Sequence, residues 1–176
     1  MSFKKGINAD VQLDDRTLEG IRIHQGKLEA QDFSFGIVVS RFNTELTQAL
    51  LHATISVLRE YGAQPEKIDV AWVPGAFEIP TMLEVWASQK KHDAFIALGV
   101  VIAGATPHAA SINREVSHAM VEMARTYQRP IIDGVVVAET ADQARERSQG
   151  QDHNRGAYAA RAAVEMAQLL SSLKGD

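Results

Sequence analysis

From Phe35 onward, short unbroken apolar runs rich in Val and Ile alternate with longer segments whose apolar residues recur at helical spacing. The runs are Phe35 to Val39, Ile68 to Val73, Ala94 to Ile102 and Ile131 to Ala138. None shows the apolar/polar alternation of a strand with one face in water, so all four are expected to be buried on both faces of a parallel sheet. The first helix is predicted over Thr44 to Tyr61, where Leu46, Leu50, Ala53 and Val57 share a face, with Asn43 placed to cap the free N–H groups and Gly62 to end it. A second runs from about Glu78 to Lys90 and tolerates Pro80 in its first turn. A third, from about Ser111 to Gln128, buries Ile112, Val116, Met120, Met123 and Tyr127, carries Arg114, His118 and Glu122 on its other face, and stops before Pro130. Thr140 and Gln143 have capping-box spacing for a short helix, and an Ala-rich helix covers about Arg155 to Ser172. Right-handed crossovers turn this series into an α/β fold, helices on both faces of one four-stranded parallel sheet.

Residues 1–21 are polar and weakly patterned and are expected to form a flexible arm, ahead of one domain over 22–176. Ile23 to Leu28 is too short to fold alone and suits an extended strand added to another sheet edge, such as a neighbour's.

Composition narrows the function classes. The net charge of -4 gives no broad attraction to nucleic acid or anionic membrane. With no Cys, disulfides, thiolate catalysis and Cys-based metal sites are excluded, and a reducing cytoplasm suits the chain. No stretch approaches the roughly 20 apolar residues that span a bilayer, and no apolar segment follows the basic opening, so a soluble, unexported protein is expected.

In parallel α/β sheets, ligands bind beyond the carboxyl ends of the strands. Those ends lead into Ser40-Arg41-Phe42-Asn43, Pro74-Gly75-Ala76-Phe77-Glu78, Ala103-Gly104-Ala105-Thr106-Pro107-His108 and the stretch beyond Ala138, all on one rim. The Gly104 to His108 turn offers free N–H groups and a hydroxyl to an anion such as phosphate. Beside it, His108 brings an imidazole, a side chain suited to proton transfer. Taken alone, a Thr in such a turn is more often a cap. Phe42 and Phe77 suit stacking on a flat heterocycle, although an aromatic after a strand is more often core, and Glu78 equally fits the helix dipole. Arg147 and Arg155 flank the connection 149–154 and suit a phosphate or a polar ring edge, or plain exposure to water. Trp72 and Trp86 read as core. The six His residues lack His-Glu-x-x-His spacing, so no metal site is expected. Dinucleotide and triphosphate loops are missing, and Ser40 and Ser111 lack a nucleophile-elbow context.

Four ordered segments together carry a family likeness: Ser40-Arg41-Phe42-Asn43, Val73 to Pro80, Ala97 to Ile102 continuing to His108, and His153-Asn154-Arg155-Gly156. They resemble the 6,7-dimethyl-8-ribityllumazine synthases in order and spacing, and the likeness covers about Arg22 to Ser172. The resemblance implies a three-layer sandwich in flavodoxin-like strand order, with the N-terminal strand added to a neighbouring subunit's sheet. It also implies condensation of 5-amino-6-(D-ribitylamino)uracil with 3,4-dihydroxy-2-butanone 4-phosphate, releasing phosphate and water, without a cofactor. On that likeness Phe42 stacks on the pyrimidine and Asn43 belongs to the substrate-binding residues. Ala76, Phe77 and Glu78 hold the ribityl chain, while Val100, Val101 and Ile102 offer backbone bonds. Ala105, Thr106 and Arg147 bind phosphate, His108 transfers protons, and Asp133 and Arg155 complete the substrate site. The family's site lies between subunits of a pentamer, so a homo-oligomer, a pentamer or an assembly of pentamers, is implied. The chain departs from the family's common residues at Ala103, Ala109, Ala110, Asp133 and Arg155. Ala103, Ala109, Ala110 and Asp133 motivate an alternative, a catalytically weak or silent shell or scaffold with the same fold.

Overall fold

The innermost strand is made of residues that want no water: Phe35, Ile37, Val38 and Val39 are fully buried in β1 (Phe35–Ser40). The computed structural model describes residues 19–104, 108–150 and 153–174. After β1 come α1 (Thr44–Glu60), β2 (Ile68–Val73), α2 (Ile79–Gln89), β3 (Ala94–Ile102), α3 (His108–Tyr127), β4 (Ile131–Ala138), α4 (Ala141–Gln149) and α5 (Arg155–Lys174). The four strands form one all-parallel sheet in the order β2-β1-β3-β4. This is the α/β architecture expected from the apolar runs, and its order matches the flavodoxin-like 2-1-3-4 arrangement.

Alternating side chains feed two cores. Ile37, Val39, Ile96 and Leu98 pack with Leu50 and Leu58 of α1 and Ala160 and Val164 of α5. Val38, Phe95 and Ala97 pack with Ile79 and Leu83 of α2 and Val116 and Met120 of α3. Each fully buried Ile, Leu or Phe contributes about 1.5 to 3 kcal/mol of transfer free energy.

Small residues bring α1 and α5 together. Gly156 is buried where a Cβ would stand 2.2 Å from the carbonyl oxygen of Leu50. There Thr54 donates from Oγ1 to the carbonyls of Leu50 (2.9 Å) and Gly156 (3.0 Å). Gly62, at φ 93°, lets the chain turn away after α1. On the opposite face Tyr127 donates its hydroxyl to the Glu84 carboxylate, joining α3 to α2. That hydrogen bond, with burial and the Glu84 charge behind it, holds the phenol above its ordinary value.

Several expectations need correction. Burial on both faces holds for β1 and most of β3. It fails for β2, where Val70 and Trp72 are 38% and 40% exposed, and for the partly open first half of β4. The strand order makes β2 and β4 the edges. Trp72 is therefore not core in this chain, whereas Trp86 packs against the second core and lies 5.1 Å from the His92 ring. Asn43 does not cap α1 with its side chain: its backbone is left-handed (φ 58°, ψ 47°) and its amide points elsewhere. On α1, Thr54 is buried and Ala53 only partly. Helix α3 starts at His108, three residues before the expected Ser111. Thr140 caps α4 by accepting the Gln143 N–H (3.2 Å), while Gln143 reaches back to the Glu139 N–H (2.9 Å). Among the described residues, 21–30 pair with no strand; Gly26 is buried against the Glu165 carbonyl of α5. The expected arm lies outside the described residues up to residue 18.

Candidate active site

The carboxyl ends of β1, β2 and β3 open on one rim because the sheet is parallel. Their turns surround a cavity of about 390 Å³. Phe42 enters from the turn after β1, Ala76, Phe77 and Glu78 from the tight turn after β2, Val100, Val101 and Ile102 from the end of β3, and His108 from the start of α3. Phe42 and Phe77 are 70% and 61% exposed, so neither is the core residue that position after a strand suggests; both present rings to the cavity.

Local bonding explains why the walls hold. Arg41 and Phe42 donate their N–H groups to the carbonyls of Val73 (2.8 Å) and Pro74 (3.1 Å), which binds the first turn to the end of β2. Thr44 Oγ1 donates to the Arg41 carbonyl (2.5 Å), and Ser40 lies fully buried beneath. From the other side Asn43 Nδ2 donates to the Val100 carbonyl (2.9 Å). Gly75 turns the chain so that Glu78 folds its carboxylate back over it, and Pro80 fits the first turn of α2. His108 makes no hydrogen bond or ion pair among the described residues and is exposed at the helix start. The wall beside it is apolar, with Ala109 and Ile112. Ala109 and Ile112 line the cavity without having been candidates, and the one signal that could have found Ile112 is its helical spacing from His108; Gly75 and Gly104 already stood in the rim turns.

The other expected site residues are elsewhere. Asp133 lies in the first half of β4, five positions before Ala138, the register partner of Ile102. At about 3.3 Å per residue it is roughly 15 Å below the rim. Arg155 joins it there, donating from Nη2 to the Asp133 carbonyl (2.8 Å). Beside Asp133, between β4 and the carboxyl-terminal halves of α3 and α5, runs an apolar groove of about 660 Å³ that includes Met120, Val121, Met166 and Leu170. It is larger than the rim cavity, but it carries neither an imidazole nor a strand carboxyl end. Arg147 is exposed on α4, away from the cavity lining. Ala105 and Thr106 lie outside the described residues. Among those described, no three His, Asp or Glu groups stand close enough to hold a metal ion, and no helix is long and apolar enough to cross a membrane.

Fold and cavity define a doubly wound α/β protein with a cavity at the carboxyl ends of its strands. The family model described as 6,7-dimethyl-8-ribityllumazine synthase matches residues 32–171. Proteins named 6,7-dimethyl-8-ribityllumazine synthase from two Clostridium kluyveri strains are each 40% identical to it over 154 residues, which span 88% of this chain and all of theirs. The chain belongs to the 6,7-dimethyl-8-ribityllumazine synthase family, transferases of riboflavin biosynthesis. A silent scaffold is not favoured by these relatives.

Proposed function

We propose that the rim cavity condenses 5-amino-6-(D-ribitylamino)uracil with 3,4-dihydroxy-2-butanone 4-phosphate, and that each complete site is shared by two adjacent subunits. The observation that carries this reading is the convergence of Phe42, Phe77, Glu78, the end of β3 and His108 on one cavity. Phe42 supplies a face for the pyrimidine, Val100 and Val101 line the cavity beside it, and the open backbone groups at Ile102 supply bonds to its edge. Ala76, Phe77 and Glu78 accommodate the ribityl chain, with the carboxylate accepting from its hydroxyls.

His108 handles the protons. The aromatic amine attacks the ketone carbonyl, and loss of water gives an imine. Removal of a carbon-bound proton then expels phosphate. The enol so formed takes up a proton at its terminal carbon to become a methyl ketone, and the ribitylamino nitrogen closes the second ring on that new carbonyl, with loss of water. Every step moves protons and leaving groups and no electrons, so no redox cofactor enters. Holding both substrates in one cavity supplies a large part of the rate. Ala105, Thr106 and Arg147 are assigned to the phosphate.

Asp133 and Arg155 are assigned to the site of the next subunit. What supports this is their pairing some 15 Å from the rim of their own chain, together with the open edges of β2 and β4. The assembly is a pentamer or a set of pentamers. In it residues 22–28 of the domain 22–176 add a strand to a neighbour's sheet, and residues 1–21 remain an arm. The absence of Cys suits a cytoplasmic site of action.

Mixing the purified protein with both substrates and following lumazine absorbance tests the reading. Product above the uncatalysed background, reduced about 10²-fold or more in His108→Ala and lost in Arg147→Ala, is expected. No product from a correctly assembled protein would overturn it.

A further inference from the structure

We infer that Asn43 is a positioning residue, which sets the distance between the Phe42 ring and the end of β3 by holding the Val100 carbonyl. Pairing of β1 with β3 ends at Val39 and Leu98, yet β3 continues to Ile102 against β4. In a parallel ladder successive residues direct their backbone groups to opposite neighbours. Ala103 donates to the Ala138 carbonyl (2.8 Å), so Val101 and Ala103 face β4 while Val100 and Ile102 face the side that β1 has left. The Asn43 amide takes the place of the missing strand at Val100, at 2.9 Å, and leaves Ile102 as the next backbone position open towards the cavity.

The backbone of Asn43 is adapted to this. Its left-handed conformation is one that Asn tolerates better than other residues with a Cβ, and its own carbonyl accepts the N–H groups of Leu46 (3.0 Å) and Thr47 (3.1 Å) to start α1. One residue therefore starts the helix, orients the turn that carries Phe42, and ties that turn across to β3. The β2 side of the turn is already held by the bonds from Arg41 and Phe42. Without the Asn43 amide, the slot between ring and strand loses its fixed width, and the flat substrate is the one affected.

The inference rests on the proposed reaction, and the test separates the two. Asn43→Gly keeps the backbone conformation and removes the amide; Asn43→Asp keeps an acceptor oxygen and removes the donor to Val100. With assembly mass and Tm unchanged, both variants are expected to raise the equilibrium Kd and the KM for the aminouracil about five- to tenfold, while the KM for the butanone phosphate stays within about twofold. A Gly variant with wild-type affinity would overturn the tether. A wild-type Asp variant beside a weakened Gly variant would overturn it too, in favour of direct contact through the oxygen. A wild-type protein that binds the aminouracil but forms no product would sink the proposed reaction and leave the tether to stand on the Kd ratios; one that does neither overturns both.

Discussion

Arg155 donates from its guanidinium to the carbonyl of Asp133, at 2.8 Å, while the Asp133 carboxylate accepts the N–H of Val135 at 2.9 Å. The pair is thus held as a unit at the β4 edge, far from His108 of the same chain. Subunit mixing exposes the arrangement. His108→Ala and Arg155→Ala proteins, each inactive or nearly so, are expected to regain activity when unfolded and reassembled together, because about a quarter of randomly formed sites would then carry both intact residues. Activity no higher than the sum of the two parents would show that His108 and Arg155 do not meet across an interface.

Phe42 is not a packing element, since most of it is exposed. Phe42→Ala is expected to change unfolding free energy by less than about 0.5 kcal/mol. Aminouracil binding should fall by about 1 to 3 kcal/mol, the usual size of base–aromatic stacking. Urea unfolding and calorimetric titration read the two quantities separately.

The approach of α5 to α1 leaves no room for a methyl at residue 156. Gly156→Ala is expected to cost about 1 to 3 kcal/mol through strain at the Leu50 carbonyl, lowering Tm by several degrees. An unchanged melting curve would mean that the helices separate freely.

Tyr127 gives a pH test with a definite sign. Its phenol is raised in the folded protein, first by the hydrogen bond to Glu84, then by burial and the Glu84 charge. A raised folded value means that the associated stability is present below the ordinary value near 10 and is lost as pH climbs through the folded one. Spectrophotometric titration should find one tyrosine ionising late in the native protein, and Glu84→Gln should bring it earlier. Late ionisation that persists in Glu84→Gln would point away from the carboxylate.

The elements were largely legible because their signals are local. Ile68–Val73, Ala94–Ile102 and Ile131–Ala138 are bounded where their apolar runs begin and end, and Thr140 with Gln143 announces α4 through its own cap. Burial was less legible. Val70 and Trp72 are as apolar as Val38, and composition does not tell an edge strand from a central one; only the strand order does. The same limit applies to Phe42 and Phe77, whose hydrophobicity says that they avoid water but not whether protein or ligand covers them. Asn43 was assigned as a cap from its place before a helix, and the outcome was decided by a carbonyl 57 residues away. The rim residues Phe42, Phe77, Glu78 and His108 followed from the topology of parallel strands, whereas the distant placement of Asp133 and Arg155 depended on three-dimensional register.

Strand β2 contains one charged residue, Asp69, exposed at the open edge and bonded at 2.9 Å to the buried His92. An apolar edge strand invites any other strand to add to it, and in a freshly made chain the nearest candidate is another β2. Two such strands docking side by side would crowd two carboxylates that His92 holds in place. A carboxylate fixed on that edge makes β2 a poorer template for a second copy of itself than an uncharged strand would be.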